Sequence, residues 1–253
     1  MPCSLPPEII DLILEYLCNE PITLKACCLA SKSWIPRTRK HLFACIRFGV
    51  FGPTIRSWMK AFPDPADSPA HHARHLWISE TNAINAPCIR SFHHVEVLRV
   101  SAFYRGKSGE APLVRLHGLS PTLKCLHLSH FSVPLSDIFN LVCSFPLLED
   151  LTLHCEEPAS VSDGWIPPLT SPRFTGTLRL IEEIRLPARG LLALSGSPRF
   201  TNIEIVCPVE YAGSAMDLVS GCSDTLESLC IGYRPSGAFP SIPEVCQYLT
   251  GGV

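Results

Sequence analysis

The chain has 253 residues and a formal net charge of −2, with 46% hydrophobic and 17% charged residues, the makeup of a folded chain with a large core rather than a disordered tail. The near-neutral charge gives no overall drive toward nucleic acid or an anionic membrane surface, so neither is expected as a partner. No stretch approaches the roughly 20 apolar residues of a membrane span, and the N-terminus lacks a basic region followed by an apolar core, so the chain is expected in the cytoplasm and/or nucleus.

The first element in chain order is a helix opened by Pro6 and Pro7, which suit a first turn, with Ser4 placed to cap the free amides and Glu8 and Asp11 near the positive end. Ile9, Ile13 and Leu17 recur at i, i+4, i+8, and Ile10 and Leu14 widen that stripe into a face too apolar for a lone surface helix. Pro21 ends it. A second helix of about 22–32 follows, carrying Leu24, Cys27 and Cys28, with Trp34 just beyond. These short helices hold more apolar surface than about 45 residues can bury internally, so a partner helix is expected to cover the excess. The basic run Arg37 to His41 reads as a solvated helix end.

Leu5-Pro6-x-Glu8-Ile9, Ile13-Leu14-x-x-Leu17, Leu24 and Ser31-x-x-Trp34 resemble the F-box in residue type and spacing, over about one fifth of the chain. The resemblance implies a helical module that binds the Skp-type adaptor of a cullin–RING ubiquitin ligase through Leu5, Pro6, Ile9, Ile13, Leu14, Leu17, Leu24, Ser31 and Trp34, in contact or supporting positions. Ala30 stands where the family usually carries Val, a loss of two methyl groups worth about 1 kcal/mol of contact. The competing reading is an ordinary helical cap for the domain that follows.

Residues 1–48 are assigned to this module and 49–72 to a linker with a capping helix at about 53–61, containing Ile55, Trp58 and Met59, followed by a Pro-rich hinge at 62–69. Residues 73–253 read as a repeat array. Seven segments carry two aliphatic residues two apart: Leu76/Ile78, Leu98/Val100, Leu126/Leu128, Leu151/Leu153, Leu178/Leu180, Ile203/Ile205 and Leu229/Ile231. Successive first anchors fall 22 to 28 residues apart, within the leucine-rich-repeat period. Alternation puts each aliphatic pair on one face of a strand and the intervening residues on the other.

Val95-x-x-Leu98, Leu123-x-x-Leu126, Leu148-x-x-Leu151 and Leu226-x-x-Leu229 resemble the L-x-x-L-x-L core of the leucine-rich repeat, in a degenerate form without the usual turn Asn. The expected fold class is therefore α plus α/β: an F-box helical module followed by a leucine-rich-repeat solenoid of about seven strands, a curved parallel sheet with helices and loops on its convex side. Between strands, 134–145 has the best helical pattern, 215–220 a shorter one, and the other connectors read as Pro/Ser-rich loops. No closing element is evident before Thr250-Gly251-Gly252-Val253, which leads to the expectation of a truncated or mis-spliced product, or of a missing partner at that end.

Thirteen scattered cysteines, odd in number and set among aliphatic residues, read as buried free thiols. Cys125-x-His127-x-x-His130 with His154-Cys155 is the strongest metal candidate, and strand parity puts Cys125, His127 and His154 on one exposed face. It lacks a paired C-x-x-C, and His71-His72-x-x-His75 and His93-His94 are no stronger. No G-x-S-x-G elbow or phosphate-binding glycine loop occurs, so no metal, cofactor or catalytic residue is expected. The exposed strand face instead presents Trp77, Arg99, His127, Thr152, Arg179, Glu204 and Cys230 along the inner curve of the expected horseshoe. Trp and Arg are frequent interface anchors. The expected function is a non-enzymatic substrate-recognition subunit of an SCF-type ligase with a target protein on this face; the alternative is a stand-alone repeat scaffold.

Overall fold

The computed structural model describes residues 5–49, 52–101, 112–117, 119, 121–130, 133–155, 165–168, 170–194 and 198–234. Three helices open the chain: α1 (Pro7–Tyr16), α2 (Pro21–Ala30) and α3 (Ile35–Leu42). Each has Pro in its first turn, where the missing N–H has no intrahelical partner to lose. Ser4 lies outside the described residues.

The rest is an open α/β arrangement around one curved, eight-stranded parallel sheet. Its strands are β1 (Cys45–Phe48), β2 (His75–Ile78), β3 (Val97–Ser101), β4 (Cys125–Ser129), β5 (Asp150–Cys155), β6 (Thr177–Glu182), β7 (Asn202–Pro208) and β8 (Ser228–Arg234), and each pairs only with its sequence neighbours. All seven expected strands are present. Their aliphatic anchors lie side by side in register, from Leu76 opposite Leu98 through to Ile205 opposite Ile231. From Leu76 to Ile205 every anchor is at most 3% exposed, because each is covered by the same rung on both neighbouring strands and by the connectors. Leu229 is 44% exposed: among the described residues β8 is paired only on its β7 side. The chain end at 250–253 lies outside the described residues.

Three expectations need correction. The described strands number eight, since Cys45–Phe48 pairs with β2 rather than ending the helical module; its anchors Ile46 and Phe48 are buried, but one is aromatic and the step to Leu76 is 30 residues, longer than the others. In consequence α4 (Ile55–Ala61) is the connector from β1 to β2 rather than a cap ahead of the first strand. Thr54 caps it, its Oγ1 accepting from the Ser57 N–H at 3.2 Å. Trp58 packs edge-on against Phe48 with centroids 5.6 Å apart and lies 5.8 Å from Phe92, tying this helix to the sheet.

The third correction concerns the connectors. α6 (Leu135–Cys143) and α8 (Ala212–Gly221) fall where helices are expected, but α7 (Arg185–Ala193) occupies a segment assigned to loop. Pro187 and Gly190 argue against a helix in isolation. Pro187 sits in the first turn, where it costs little, and Gly190 is buried against the Phe139 ring of α6, where a Cβ would overlap the ring carbons. A short helix, α5 (Thr81–Ile84), and single turns of 3-10 helix at Pro69–His72, Pro87–Ser91 and Pro112–Leu116 fill other connectors.

The sheet and its connectors share one continuous core from Ile46 to Cys222, while α1 to α3 hold a separate small one of Ile10, Leu14 and Leu24, flanked by Leu17, Cys27, Trp34 and Leu42. The cysteines are more varied than expected. Cys155, Cys207 and Cys222 are buried, Cys18, Cys45 and Cys230 are exposed, and no described cysteine is disulfide-bonded.

Candidate functional surfaces

The helical module is apolar on two sides. One side of α1 turns Ile10 and Leu14 into the small core, at 8% and 0% exposure. The other presents Ile9, Leu12, Ile13 and Tyr16, spaced i, i+3, i+4, i+7, with 42%, 62%, 36% and 89% of their surfaces open, and Leu5 precedes them at 48%. The helix is held in this orientation by α3. Arg37 pairs with Asp11 and donates to the Pro7 carbonyl at 3.3 Å, and its hydrogen bond holds the Asp11 carboxyl below the usual carboxylate range. Thr38 Oγ1 donates to the Trp34 carbonyl at 2.8 Å.

Of the nine residues assigned to adaptor binding, Leu5, Pro6, Ile9 and Ile13 are exposed, Leu17, Ser31 and Trp34 are half-buried, and Leu14 and Leu24 are internal. The last two support the outer face and offer no surface of their own. Ser31 caps the 3-10 turn Lys32–Trp34 through its side chain. Ala30 is exposed at the end of α2, so its two missing methyl groups open no cavity inside the chain. Leu12 and Tyr16, with Ile22 and Leu29 on α2 at 80% and 89% exposure, are apolar positions left unassigned by the sequence reading; the first two carry a legible signal in their spacing from Ile9.

The second surface is the solvent-side face of the sheet. Strand register lines up Arg47, Trp77, Arg99, His127, Thr152, Arg179, Glu204 and Cys230 in one lateral row. Trp77, Arg99, His127, Thr152, Arg179 and Glu204 are all half-buried members of it, and β1 adds Arg47 at its head. The guanidinium carbons of Arg47 and Arg99 lie 4.8 Å and 5.6 Å from the Trp77 ring centroid, within cation–π range. Arg179 is neutralised by Glu204 at 2.6 Å. Between them, burial, aided by Arg99 and Arg179, pushes the His127 imidazole down to about 4, so it is uncharged at neutral pH.

His154, expected on the exposed face with Cys125 and His127, is only 5% exposed. It sits one step toward the carboxyl end of its strand, its Nε2 3.3 Å from Glu182 Oε1 and its ring 4.7 Å from that of His130. His130, just beyond β4, and Glu182, at the end of β6, both have left-handed backbone, at φ 59° and 73°. Cys125 is engaged elsewhere, donating to Asp150 Oδ2 at 3.1 Å, and burial together with that carboxylate pushes its thiol up to about 12. Among the described residues no three His, Cys, Asp or Glu side chains are disposed to hold a metal ion, and no helix is long and apolar enough to cross a membrane. No protein-family model and no curated protein matches the chain.

Proposed function

We propose that the chain is a substrate-recognition subunit of an SCF-type ubiquitin ligase, with its N-terminal helices an F-box that docks the Skp-type adaptor and its sheet the face of a leucine-rich-repeat array that holds a target protein. The chain itself performs no chemistry: it brings the target close to a transfer step carried out by other subunits. The observation that carries this reading is the open stripe Ile9, Leu12, Ile13 and Tyr16 on a helix whose opposite side is already packed. Fully burying an exposed aliphatic side chain is worth about 1.5–3 kcal/mol, so covering the open part of this stripe favours a partner. The test is co-purification with the adaptor. Wild-type chain should retain it and the Ile9→Asp, Ile13→Asp variant should not; equal recovery from both removes the docking reading.

A stand-alone scaffold, with α1 to α3 acting only as a cap, is favoured by one observation: the Ala44 carbonyl between α3 and β1 accepts the N–H groups of Arg74 and His75 at 2.8 Å and 2.9 Å, so the module runs directly into the sheet. Deleting residues 1–43 distinguishes the two. A cap is needed for the sheet to fold, whereas a docking module can be removed with the sheet intact.

A further inference from the structure

We propose that the Arg47, Trp77 and Arg99 end of the sheet face binds an extended acidic segment of a protein partner, with carboxylates four residues apart and an apolar side chain midway between them, all on one side of the segment. The assignment rests on the receptor reading above and specifies the chemistry of its target. Arg47, Trp77 and Arg99 are direct neighbours in register on β1, β2 and β3. Both guanidiniums lie against the indole, which orients them while leaving their N–H groups unspent: neither has an ion pair or a hydrogen bond to a described residue.

Among the described residues, several carboxylates of the strands and their connectors are engaged elsewhere, and Glu80 beyond β2 accepts from the Ile55 N–H at 3.1 Å. Glu96 pairs with Arg74 at 3.1 Å, Glu204 pairs with Arg179 at 2.6 Å, and Asp150 accepts from the Cys125 thiol and the Thr177 N–H. The row therefore runs from a positive end at β1 to β3 to a neutral end at β6 and β7, and charge complementarity selects an anionic partner for the first. Neighbouring strands are about 4.8 Å apart, so Arg47 and Arg99 are rooted about 10 Å apart; in an extended chain only residues an even number apart share a side, and two carboxylates four apart, about 13 Å along the backbone, straddle that span with the residue midway between them on the same side. A partner segment lying across the strands can set one carboxylate on each guanidinium in a forked pair. The residue between them then meets Trp77.

The test is fluorescence anisotropy of a labelled synthetic peptide with two Glu residues four apart and Leu midway between them, in a Gly/Ser background, against the same peptide with Gln or phosphoserine in place of Glu. The Glu peptide should bind the wild-type chain and weaken with added salt, and the Gln peptide should bind at least about tenfold more weakly. Arg47→Gln with Arg99→Gln should cost a similar factor, while Arg189→Gln on the exposed side of α7 should cost none. Absence of Glu-peptide binding, or binding unchanged in the double variant, overturns the proposal, and so does binding confined to the phosphoserine peptide, which would make the site one for phosphorylated segments. If circular dichroism shows the double variant unfolded, Arg47→Lys and Arg99→Lys decide: loss of affinity with charge retained supports the forked pairing, and unchanged affinity in both overturns it. Adaptor co-purification is read separately, so peptide failure with the adaptor still bound removes this assignment alone, and adaptor failure with peptide binding removes the receptor reading alone.

Discussion

Gly190→Ala should destabilise the wild-type chain and stabilise a chain already carrying Phe139→Ala. Two opposed effects meet at this position. In a helix interior, alanine is favoured over glycine by about 1 kcal/mol, because glycine loses more backbone freedom on folding. Against that, the three atoms nearest to a Cβ on Gly190 are all carbons of the Phe139 ring, which is 1% exposed and lies 5.6 Å from the Trp165 ring. Overpacking of a closed core costs about 1–3 kcal/mol, so the net change in the wild-type chain is a loss of about 1 kcal/mol. Phe139→Ala alone should cost about 3–5 kcal/mol. In that background the ring is gone, and Gly190→Ala should recover about 1 kcal/mol of helix propensity. Equilibrium urea unfolding of the four chains completes a double-mutant cycle with a coupling of about 2 kcal/mol. A stabilising effect in the wild-type background, or the same effect in both, would refute the close approach of α6 and α7 as the reason for glycine here.

Three further outcomes are expected. Leu14→Ala, at a position with no exposed surface in the small helical core, should cost that module about 2–5 kcal/mol; hydrogen exchange should quicken across α1 while β4 to β6 stay protected, and uniform quickening would show that the two cores unfold as one. The His127 ring should titrate near pH 4 by NMR rather than near 6.5. Its folded midpoint lies below its unfolded one, so its contribution to stability is complete above about pH 6.5 and is lost as the pH falls toward 4; Arg99→Gln should raise the midpoint, and a wild-type midpoint near 6.5 would show that the ring is solvated. Cys125, its thiol raised to about 12 by burial and by Asp150, should resist iodoacetamide at pH 8, and Asp150→Asn should speed its alkylation by favouring the thiolate; equal rates would remove the carboxylate's role.

Strand positions were legible because the signal is local and repeated: a pair of aliphatic residues two apart needs only the pleat of its own strand to be read. β1 escaped because Phe48 replaces the second aliphatic residue. α7 escaped because Pro187 and Gly190 count against a helix until the Phe139 ring beside it is known. The row from Trp77 to Glu204 followed from strand parity, but parity holds only within a strand, and His154 is covered by His130, just beyond β4, and Glu182, at the end of β6. On α1, the apolar pattern joined Ile9, Ile13 and Leu17 with Ile10 and Leu14 in one face, whereas burial divides them between an inner and an outer side.

The amino-acid sequence by itself determined that the chain lays down parallel strands at intervals of about 25 residues, which side chains of each strand face the connectors, and that the first helix carries more apolar residues than one buried face requires. Only the tertiary structure decided that Ile10 and Leu14 point inward and Ile9, Leu12, Ile13 and Tyr16 outward, that Arg47 joins Trp77 and Arg99, and that Arg179 pairs with Glu204 while, among the described residues, those two arginines have no ion pair. The physical reason is the range of the interactions. Periodicity and pleat act over a few residues and are written in the local pattern, whereas burial, ion pairing and ring contact depend on which strands and helices become neighbours.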